Sequence, residues 1–370
     1  MVVSTDAKEI TDVKEEETMS SGKSNHRVVS ICLLVGVLLF TGRVCYGGLD
    51  FAPVELVSAN GSAITVPGYS VPSFVDWNED GLKDLIVGEG SGYYTPKVRV
   101  YLNVGTQSSP QFSDYFYVQA NGSDLTVPGS GCMGLFPRVV DWNDDGCKDL
   151  LIGRSDGRIE VFANSGSDEE PVFDHGSFLL VGPYHCECEK VEIDVGYRAT
   201  PCVVDWNNDG NNDLVVGAYD GKIHIFINEG TNAEPNFWYE TFAQEDGSDL
   251  VVPTLRSSPV VIDLDGDGKK DILAGNTEGQ LLFYSNVGTD NSPEFSGYTL
   301  IEADGNVIDL MGAGDARSRP FVCDWNDDGI ADILVGAGDG KVYLFRGVPE
   351  PASLSLLIIG GMSILLKRRR

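Results

Sequence analysis

The chain has 370 residues, with 26 Lys and Arg against 56 Asp and Glu, and a formal net charge of −30. A chain with this much negative charge cannot bind the phosphates of DNA or RNA through its overall charge. Hydrophobic residues make up 42% of the chain and charged residues 22%, which argues against disorder, while 44 Gly and 17 Pro predict many turns and short elements.

The N-terminal segment has the features of a secretory leader. Residues 28–40 form an uncharged apolar run of 13 residues, which is shorter than the roughly 20 residues that a spanning helix needs. We therefore predict a leader over residues 1–48 with 28–40 as the core of a signal peptide. Translation from Met19 would place Lys23 and Arg27 ahead of this run, as in an ordinary signal, and we predict that start. The alternative is a signal anchor with a disordered tail.

A nine-residue acidic segment then recurs five times. Its copies are DWNEDGLKD at 76–84, DWNDDGCKD at 141–149, DWNNDGNND at 205–213, DLDGDGKKD at 263–271 and DWNDDGIAD at 324–332. Their starts are 65, 64, 58 and 61 residues apart. A period of this size indicates a repeat architecture, here over residues 49–347.

The residues around each acidic segment predict strands. A β-branched stretch precedes it, and a Leu-Ile-Val-Gly sequence or a variant follows. An Asp-Gly turn then leads to an alternating stretch, as in residues 158–162 and 222–226. Four short antiparallel strands in each unit of about 60 residues, radially repeated, are typical of a β-propeller blade.

The two ends of the repeat region predict how it closes. The last copy stops after its third strand at residues 341–345, and the first begins with an orphan segment, 53–61, that matches 112–122. We therefore predict an all-β fold, a five-bladed β-propeller of four-stranded antiparallel blades, in which residues 49–67 complete the last blade. The alternatives are an open array or a seven-bladed ring completed by another chain.

The acidic segments have the chemistry of calcium loops. Positions 1, 3, 5 and 9 offer hard oxygen ligands, position 7 can add a backbone carbonyl, and Gly at position 6 permits the sharp turn. The Glu expected at position 12 of an EF-hand is absent, and the flanking segments are strands. Metal-free Asn/Asp turns are the alternative, but so many close carboxylates repel one another without a cation.

The repeats resemble the FG-GAP/VCBS family of calcium-loop β-propeller repeats, and the resemblance covers nearly all of residues 49–347. It implies about five bound Ca²⁺, one in each blade, and ligands at loop positions 1, 3, 5, 7 and 9. These are Asp76, Asn78, Asp80, Leu82 and Asp84; Asp141, Asn143, Asp145, Cys147 and Asp149; Asp205, Asn207, Asp209, Asn211 and Asp213; Asp263, Asp265, Asp267, Lys269 and Asp271; and Asp324, Asn326, Asp328, Ile330 and Asp332. Position 2 is Trp in every loop except the fourth, and we predict that it packs between blades.

Two departures from the repeat mark places where a specific site could lie. The first blade has four extra residues between Gly88 and Val98, including Tyr93 and Tyr94. Exposed aromatics can stack on sugar rings, and packing within the protein is the alternative for these tyrosines. The second is the Cys-x-Cys beside a His in residues 184–189, which lacks the second ligand pair of a zinc site. Six cysteines follow the leader, and the sequence does not choose among their 15 pairings: Cys132, Cys147, Cys186, Cys188, Cys202 and Cys323.

The sequence is poor in catalytic signatures. It has four His in unrelated places and no Gly-x-Ser-x-Gly, His-Glu-x-x-His or phosphate-loop motif. We therefore predict a protein that is not an enzyme. A polysaccharide lyase or glycoside hydrolase on a propeller scaffold remains the alternative, because a carboxylate pair suffices for glycoside hydrolysis.

The C-terminal segment, residues 348–370, combines Pro349-Glu350-Pro351, an apolar stretch and a terminal Lys-Arg-Arg-Arg. It resembles the PEP-CTERM sorting signal, which implies export, processing by an exosortase-type enzyme, and delivery to the bacterial cell surface or the extracellular polysaccharide. An uncleaved anchor, with residues 352–366 as a transmembrane helix, is the alternative. In both cases we expect the protein to contact the membrane only through its N-terminal and C-terminal segments.

Together these features predict an exported calcium-binding propeller that acts in adhesion or in binding carbohydrate or protein. Its expected partners are extracellular polysaccharide or a surface protein, with no nucleic acid. A purely structural matrix protein without a specific ligand is the further alternative.

Overall fold

The computed structural model describes residues 49–90, 95–128, 134–182, 189–313 and 316–349. The predicted leader, Tyr93, Tyr94, Cys132, Cys186, Cys188 and the sorting segment beyond Pro349 lie outside the described residues. The described chain is all β apart from a short 3₁₀ helix, Met311–Ala313. No helix within those ranges has the length and apolar character needed to cross a membrane.

Each repeat contributes a meander of strands, which we number in chain order. The first repeat and the segment before it contain β1 Asp50–Phe51, β2 Glu55–Leu56, β3 Ser58–Ala59, β4 Ser62–Ala63, β5 Ser70–Val75, β6 Asp84–Glu89, β7 Val98–Asn103 and β8 Phe112–Tyr117. The second contains β9 Gln119–Ala120, β10 Ser123–Asp124, β11 Phe136–Val140, β12 Asp149–Gly153, β13 Ile159–Phe162 and β14 Ser177–Phe178.

The later repeats follow the same order. The third contains β15 Leu180–Val181, β16 Val191–Glu192, β17 Thr200–Val204, β18 Asp213–Gly217, β19 Ile223–Asn228 and β20 Phe237–Phe242. The fourth contains β21 Gln244–Glu245, β22 Ser248–Asp249, β23 Ser258–Ile262, β24 Asp271–Gly275, β25 Leu281–Tyr284 and β26 Thr299–Leu300. The fifth contains β27 Glu302–Ala303, β28 Asn306–Val307, β29 Arg319–Cys323, β30 Asp332–Gly336 and β31 Val342–Phe345.

The strands pair into five antiparallel meanders. Four of them run β5–β8, β11–β14, β17–β20 and β23–β26, and the fifth runs β29–β31. The fifth takes its fourth strand from the start of the chain, since Glu55 and Leu56 of β2 pair with Leu344 and Tyr343 of β31. Residues 49–67 are the segment from which the sequence predicted this strand.

The first strand of every meander has a sheet partner on one side only, and its sequence shows why. Each carries a proline as its second or third residue, at Pro72, Pro137, Pro201, Pro259 and Pro320. Proline lacks the N–H that a central strand must donate, and is therefore confined to sheet edges. These first strands contact one another in sequence order, and β29 of the fifth repeat also contacts β5 of the first.

Glycine at the end of the second strand lets neighbouring repeats approach closely. A Cβ at Gly153 would lie 2.2 Å from the carbonyl oxygen of Ala199 in the next repeat. The same contact recurs between the last and first repeats, where a Cβ at Gly336 would lie 2.2 Å from the Ser70 oxygen. The Gly of the Leu-Ile-Val-Gly signature is therefore a packing residue between repeats.

The hydrophobic core consists of five clusters, each shared by two consecutive repeats or by the last and the first. The loop tryptophans lie in these clusters. Trp325 stacks on Phe74 of the first repeat with ring centroids 4.6 Å apart, and Trp77 packs 6.1 Å from Phe173 of the second. Leu264 takes the same place in the fourth repeat and is buried. This packing confirms the prediction made for position 2.

Candidate metal centre

Each acidic segment forms the loop between the first and second strands of its repeat. Its first, third and fifth side chains turn inward and are fixed by backbone donors and by one another. In the first loop, Gly81 N–H donates to Asp76 Oδ2 at 2.9 Å, Leu82 N–H to Asp80 Oδ1 at 2.9 Å, and the Asn78 amide to Asp80 Oδ2 at 3.1 Å. The other loops repeat the two backbone contacts. The predicted ligand side chains at positions 1, 3 and 5 are therefore held within the same tight turn.

The backbone of each loop requires left-handed conformations at positions 4 and 6. Position 6 is always Gly, but position 4 is Glu79, Asp144, Asn208 or Asp327, with φ between 57° and 62°. Asn and Asp tolerate this region better than most residues, and Gly tolerates it without cost. The fourth loop has Gly266 here, with φ of 78°, which explains this departure from the repeat.

The aspartate at position 9 is fully buried in all five loops. In the first loop Asp84 Oδ2 accepts the Trp77 N–H at 3.0 Å and Oδ1 accepts the Asn103 N–H at 2.7 Å. The other four loops have the same pair of bonds. This carboxylate therefore ties the loop to the end of the third strand. Its role as a metal ligand stays a prediction.

Burial makes this carboxylate a weaker acid in the metal-free protein. Desolvation raises the pKa of Asp84, Asp213, Asp271 and Asp332 from 3.8 to about 6, although the two backbone donors oppose the shift. The pKa of Asp149 is raised for the same reason. Neighbouring carboxylates of the loop, such as Asp80 beside Asp84, raise the pKa further.

This shift predicts an unusual pH dependence for metal-depleted protein. The folded state binds these protons more tightly than the unfolded state, so its stability should rise as the pH falls from about 7 to about 5. With calcium bound the dependence should reverse, because protons then compete with the cation. Melting curves of resin-depleted and calcium-loaded protein across this range test the prediction. A melting temperature of the depleted protein that falls steadily with pH would contradict it.

Several loop oxygens lack a protein partner. Asp76 Oδ1 in the first loop and Asn326 Oδ1 in the fifth are buried and accept no hydrogen bond. Buried polar atoms are almost always satisfied, so such exceptions require an explanation. In the fourth loop, Asp263, Asp265 and Asp267 bring carboxylate oxygens within 4.8 Å of one another, a clustering of acidic groups unique to this loop among the described residues. Hard, crowded and unsatisfied oxygens fit Ca²⁺.

The residues at position 7, from which a carbonyl ligand is predicted, are held in place through their backbone N–H groups. The N–H groups of Leu82, Cys147, Asn211, Lys269 and Ile330 donate to the position-5 carboxylate at 2.8–2.9 Å. The Lys269 ammonium also lies 3.2 Å from Asp267 Oδ2, so the fourth loop carries its own partial counter-charge. Coordination by the carbonyls themselves stays a prediction.

A second motif supports the loops, and the sequence reasoning missed it. Asn-x-Gly followed by Thr or Ser occurs after the third strand of four repeats, at 103–106, 164–167, 228–231 and 286–289. Asn103 Oδ1 accepts the N–H groups of Gly105 at 2.9 Å and Gln111 at 3.1 Å, while its own N–H binds Asp84. The recurrence of this motif in the sequence, 15 residues after the buried aspartate in three repeats and 19 in the first, was the available signal.

The described cysteines give no support to a second metal site. Cys147, Cys202 and Cys323 are free thiols, and burial raises the pKa of Cys202 and Cys323. These two are therefore poor thiolate ligands or nucleophiles at neutral pH. The Cys-x-Cys pair and Cys132, which would complete the six predicted thiols, lie outside the described residues.

Comparisons with known proteins support the repeat type and the fold. Residues 205–274 and 263–335 match the model of the FG-GAP-like repeat. The chain is 27% identical over 289 residues to integrin alpha-4 of Xenopus laevis, covering 71% of this chain and 25% of that protein. It is 25% identical over 150 residues to the KICSTOR complex protein ITFG2 of Mus musculus, covering 39% of this chain and 30% of that protein.

A solved structure extends the comparison to the fold. The α-L-arabinofuranosidase PaAbf62A from Podospora anserina, in complex with cellotriose, aligns with a TM-score of 0.50 at 11% identity, covering 83% of this chain and 98% of that chain. Identity this low shows a shared fold alone. The chain spans less than a third of the length of the two curated relatives. We conclude that this all-β chain contains FG-GAP-like repeats of the β-propeller type.

Proposed function

We propose that the protein is an exported five-bladed β-propeller that binds about five Ca²⁺ and recognises carbohydrate or protein outside the cell without catalysing a reaction. The acidic loops are the main support for this proposal. Their side-chain oxygens lie close together, and two of these oxygens are buried without a hydrogen-bond partner. The predicted ligand residues would hold the ions, and calcium would neutralise loops that otherwise repel themselves.

Closure into five blades is supported by contacts between the ends of the repeat region. One hydrophobic cluster combines Trp325 and Leu334 of the last repeat with Phe74 and Leu85 of the first. Such packing, added to the pairing of β2 with β31, disfavours an open array. Rings of more than five blades would require the contact between Gly336 and Ser70 to open.

Export is supported by the apolar run at 28–40 and by similarity to an integrin alpha chain. Delivery to a bacterial surface or polysaccharide matrix, with processing by an exosortase-type enzyme, remains part of the proposal and depends on the C-terminal sequence. Detection of the protein in the medium or on the surface, with its C-terminus trimmed near Pro349, would support this route.

A binding experiment tests the non-catalytic role. We expect the calcium-loaded protein to bind a subset of immobilised polysaccharides, and a Tyr93→Ala, Tyr94→Ala double variant to lose about tenfold in affinity, as for loss of aromatic stacking worth about 1–1.5 kcal/mol. Tyr239→Ala, at an exposed tyrosine of an outer strand, is the matched control. Unchanged binding by the double variant would reject these tyrosines as the ligand contact.

An enzyme acting on polysaccharide is the second candidate, because the fold is shared with an arabinofuranosidase. Release of reducing ends or unsaturated sugars by the purified protein would favour it. Binding without any release would favour the non-catalytic proposal, and neither binding nor release would favour a structural matrix role.

A further inference from the structure

A strained turn precedes the inner strand of the fourth repeat. Thr254, Leu255 and Arg256 have φ values of 64°, 70° and 62°, so three successive non-glycine residues are left-handed. Such residues normally occur singly, because each places its Cβ against a backbone oxygen. Backbone strain persists where the surrounding structure fixes it, and it concentrates at binding sites.

The turn is held in place by hydrogen bonds from neighbouring loops. Arg256 N–H donates to the Tyr219 carbonyl at 3.1 Å, Leu255 N–H to the Val252 carbonyl at 3.2 Å, and the Thr277 hydroxyl to the Leu255 carbonyl at 3.2 Å. The turn also packs closely against Gly221, because a Cβ at Gly221 would lie 3.2 Å from Leu255 Cα. This packing further restricts the backbone of the turn. The backbone from which the Arg256 side chain extends is therefore fixed.

Arginine at this place recurs in three consecutive repeats. Arg198, Arg256 and Arg317 all stand three residues before the proline of the inner strand, and all are left-handed, with φ of 61°, 62° and 58°. Their guanidinium groups lie over aromatic rings: Phe136 at 5.5 Å, Tyr219 at 5.0 Å and Tyr69 at 4.4 Å, respectively. These three arginines precede the inner strands, at the end opposite to the acidic loops.

The Arg256 guanidinium has N–H donors without an acceptor among the described residues. It is partly exposed and forms no ion pair with any carboxylate in the described part of the chain, and its Nη1 is buried without an acceptor. The nearby Asp220 carboxylate is engaged by the Lys222 N–H at 3.0 Å and lies 3.8 Å from His224 Nε2. An arginine in this setting fits a carboxylate, which its guanidinium can bind through two parallel hydrogen bonds.

The ring of Tyr219, over which this guanidinium lies, belongs to an exposed group of aromatic and apolar side chains. Tyr197 and Tyr219 are 59% and 40% exposed, and their rings meet edge to face with centroids 6.3 Å apart. Leu255 beside them is 43% exposed. Tyrosine offers a flat apolar face together with a hydroxyl, which suits a sugar ring. Tyr219 also occupies the loop that in the first repeat carries Tyr93 and Tyr94.

We propose that Arg256, with Tyr197 and Tyr219, binds a hexuronate residue of an acidic polysaccharide, the carboxylate on the guanidinium and the ring against the tyrosines. The inference rests on the proposed binding function and names its ligand class. A carboxylate in an acidic peptide would use Arg256 but would leave the aromatic walls largely unused, so the sugar is the better fit. A short oligosaccharide should bind best, since the chain's overall charge repels long polyanions.

The test is calorimetry with trigalacturonate, neutral galactotriose and triglutamate, using calcium-loaded protein dialysed free of excess calcium. We expect trigalacturonate to bind at least tenfold more tightly than galactotriose. Arg256→Gln should remove about tenfold or more of that affinity, as for loss of a charged hydrogen bond, and Arg256→Lys should retain part of it. Arg346→Gln, at a partly exposed arginine paired with Glu55, is the control and should bind as the parent does.

Three results would overturn the proposal. Equal affinity of Arg256→Gln and the parent for trigalacturonate would assign any uronate binding to calcium at the acidic loops. Equal affinity for triglutamate and trigalacturonate, with the same dependence on Arg256, would indicate an acidic peptide as ligand. Equal affinity for galactotriose and trigalacturonate would leave the wider proposal of carbohydrate binding standing and would refute the carboxylate assignment. A melting temperature of Arg256→Gln or Arg256→Lys close to the parent's shows that the variant is folded.

Discussion

Removal of calcium is expected to lower the melting temperature of the protein by about 20 °C or more. A ligand that binds only the folded state stabilises it by about 2.7 kcal/mol per site at a free concentration 100 times the dissociation constant. Five such sites would supply on the order of 10 kcal/mol, and each kcal/mol moves the melting temperature of a large domain by about 2–4 °C. Differential scanning calorimetry in calcium and in excess chelator measures the shift.

A single-loop variant separates this effect from a general response to ionic conditions. Asp267→Asn removes one carboxylate from the fourth loop, where three carboxylates converge. In calcium it should lower the melting temperature, and in chelator it should be neutral or stabilising because it relieves repulsion. Asp174→Asn, at an exposed aspartate outside the loops, should behave as the parent does in both conditions. Equal destabilisation by Asp267→Asn with and without calcium would contradict metal binding at this loop.

Substitution of Gly336 by alanine is expected to destabilise the protein by about 2 kcal/mol or more, a typical cost of overpacking. The new Cβ would lie 2.2 Å from the carbonyl oxygen of Ser70, a backbone atom that cannot move without displacing the inner strand of the first repeat. Because this contact joins the last repeat to the first, the substitution tests the contact on which the proposed closure into a ring depends. Chemical denaturation of the calcium-loaded protein measures the change.

Gly312→Ala is the matched control, because a Cβ at Gly312 has no other heavy atom within 4 Å. We expect it to change stability by less than about 0.5 kcal/mol, as for ordinary surface substitutions. Equal stability of the two variants would show that the fifth and first repeats do not pack as described, and an open array would then be favoured.

The repeat pattern in the sequence predicted most of the strand arrangement. The period of the acidic loops, the alternating strands and the orphan N-terminal segment predicted the meanders and the pairing of residues 55–56 with the last repeat. Period and alternation are local properties, so one sequence displays them directly. The length of the outer strands was not predictable. They have six residues in β8 and β20 but two in β14 and β26, since such strands depend on contacts with neighbouring repeats.

The sequence predicted that the acidic segments lie between two strands, but it did not predict the contacts that support them. The Asn-x-Gly motif stands 15 to 19 residues from the aspartate that it anchors, and only the folded sheet brings them together. The left-handed turn at residues 254–256 has no glycine to signal it. The contacts of this turn come from loops of the third and fourth repeats, so its strain is a tertiary property that local sequence does not reveal.

The metal content of the purified protein tests the central claim most directly. The protein is equilibrated with Ca²⁺, stripped of free ion and analysed by native mass spectrometry together with elemental analysis. The repeated loops predict about five bound Ca²⁺, and about four for a variant with Asp263→Asn and Asp267→Asn in the fourth loop. A folded protein that retains no calcium, or whose calcium content does not change in this variant, would contradict the account.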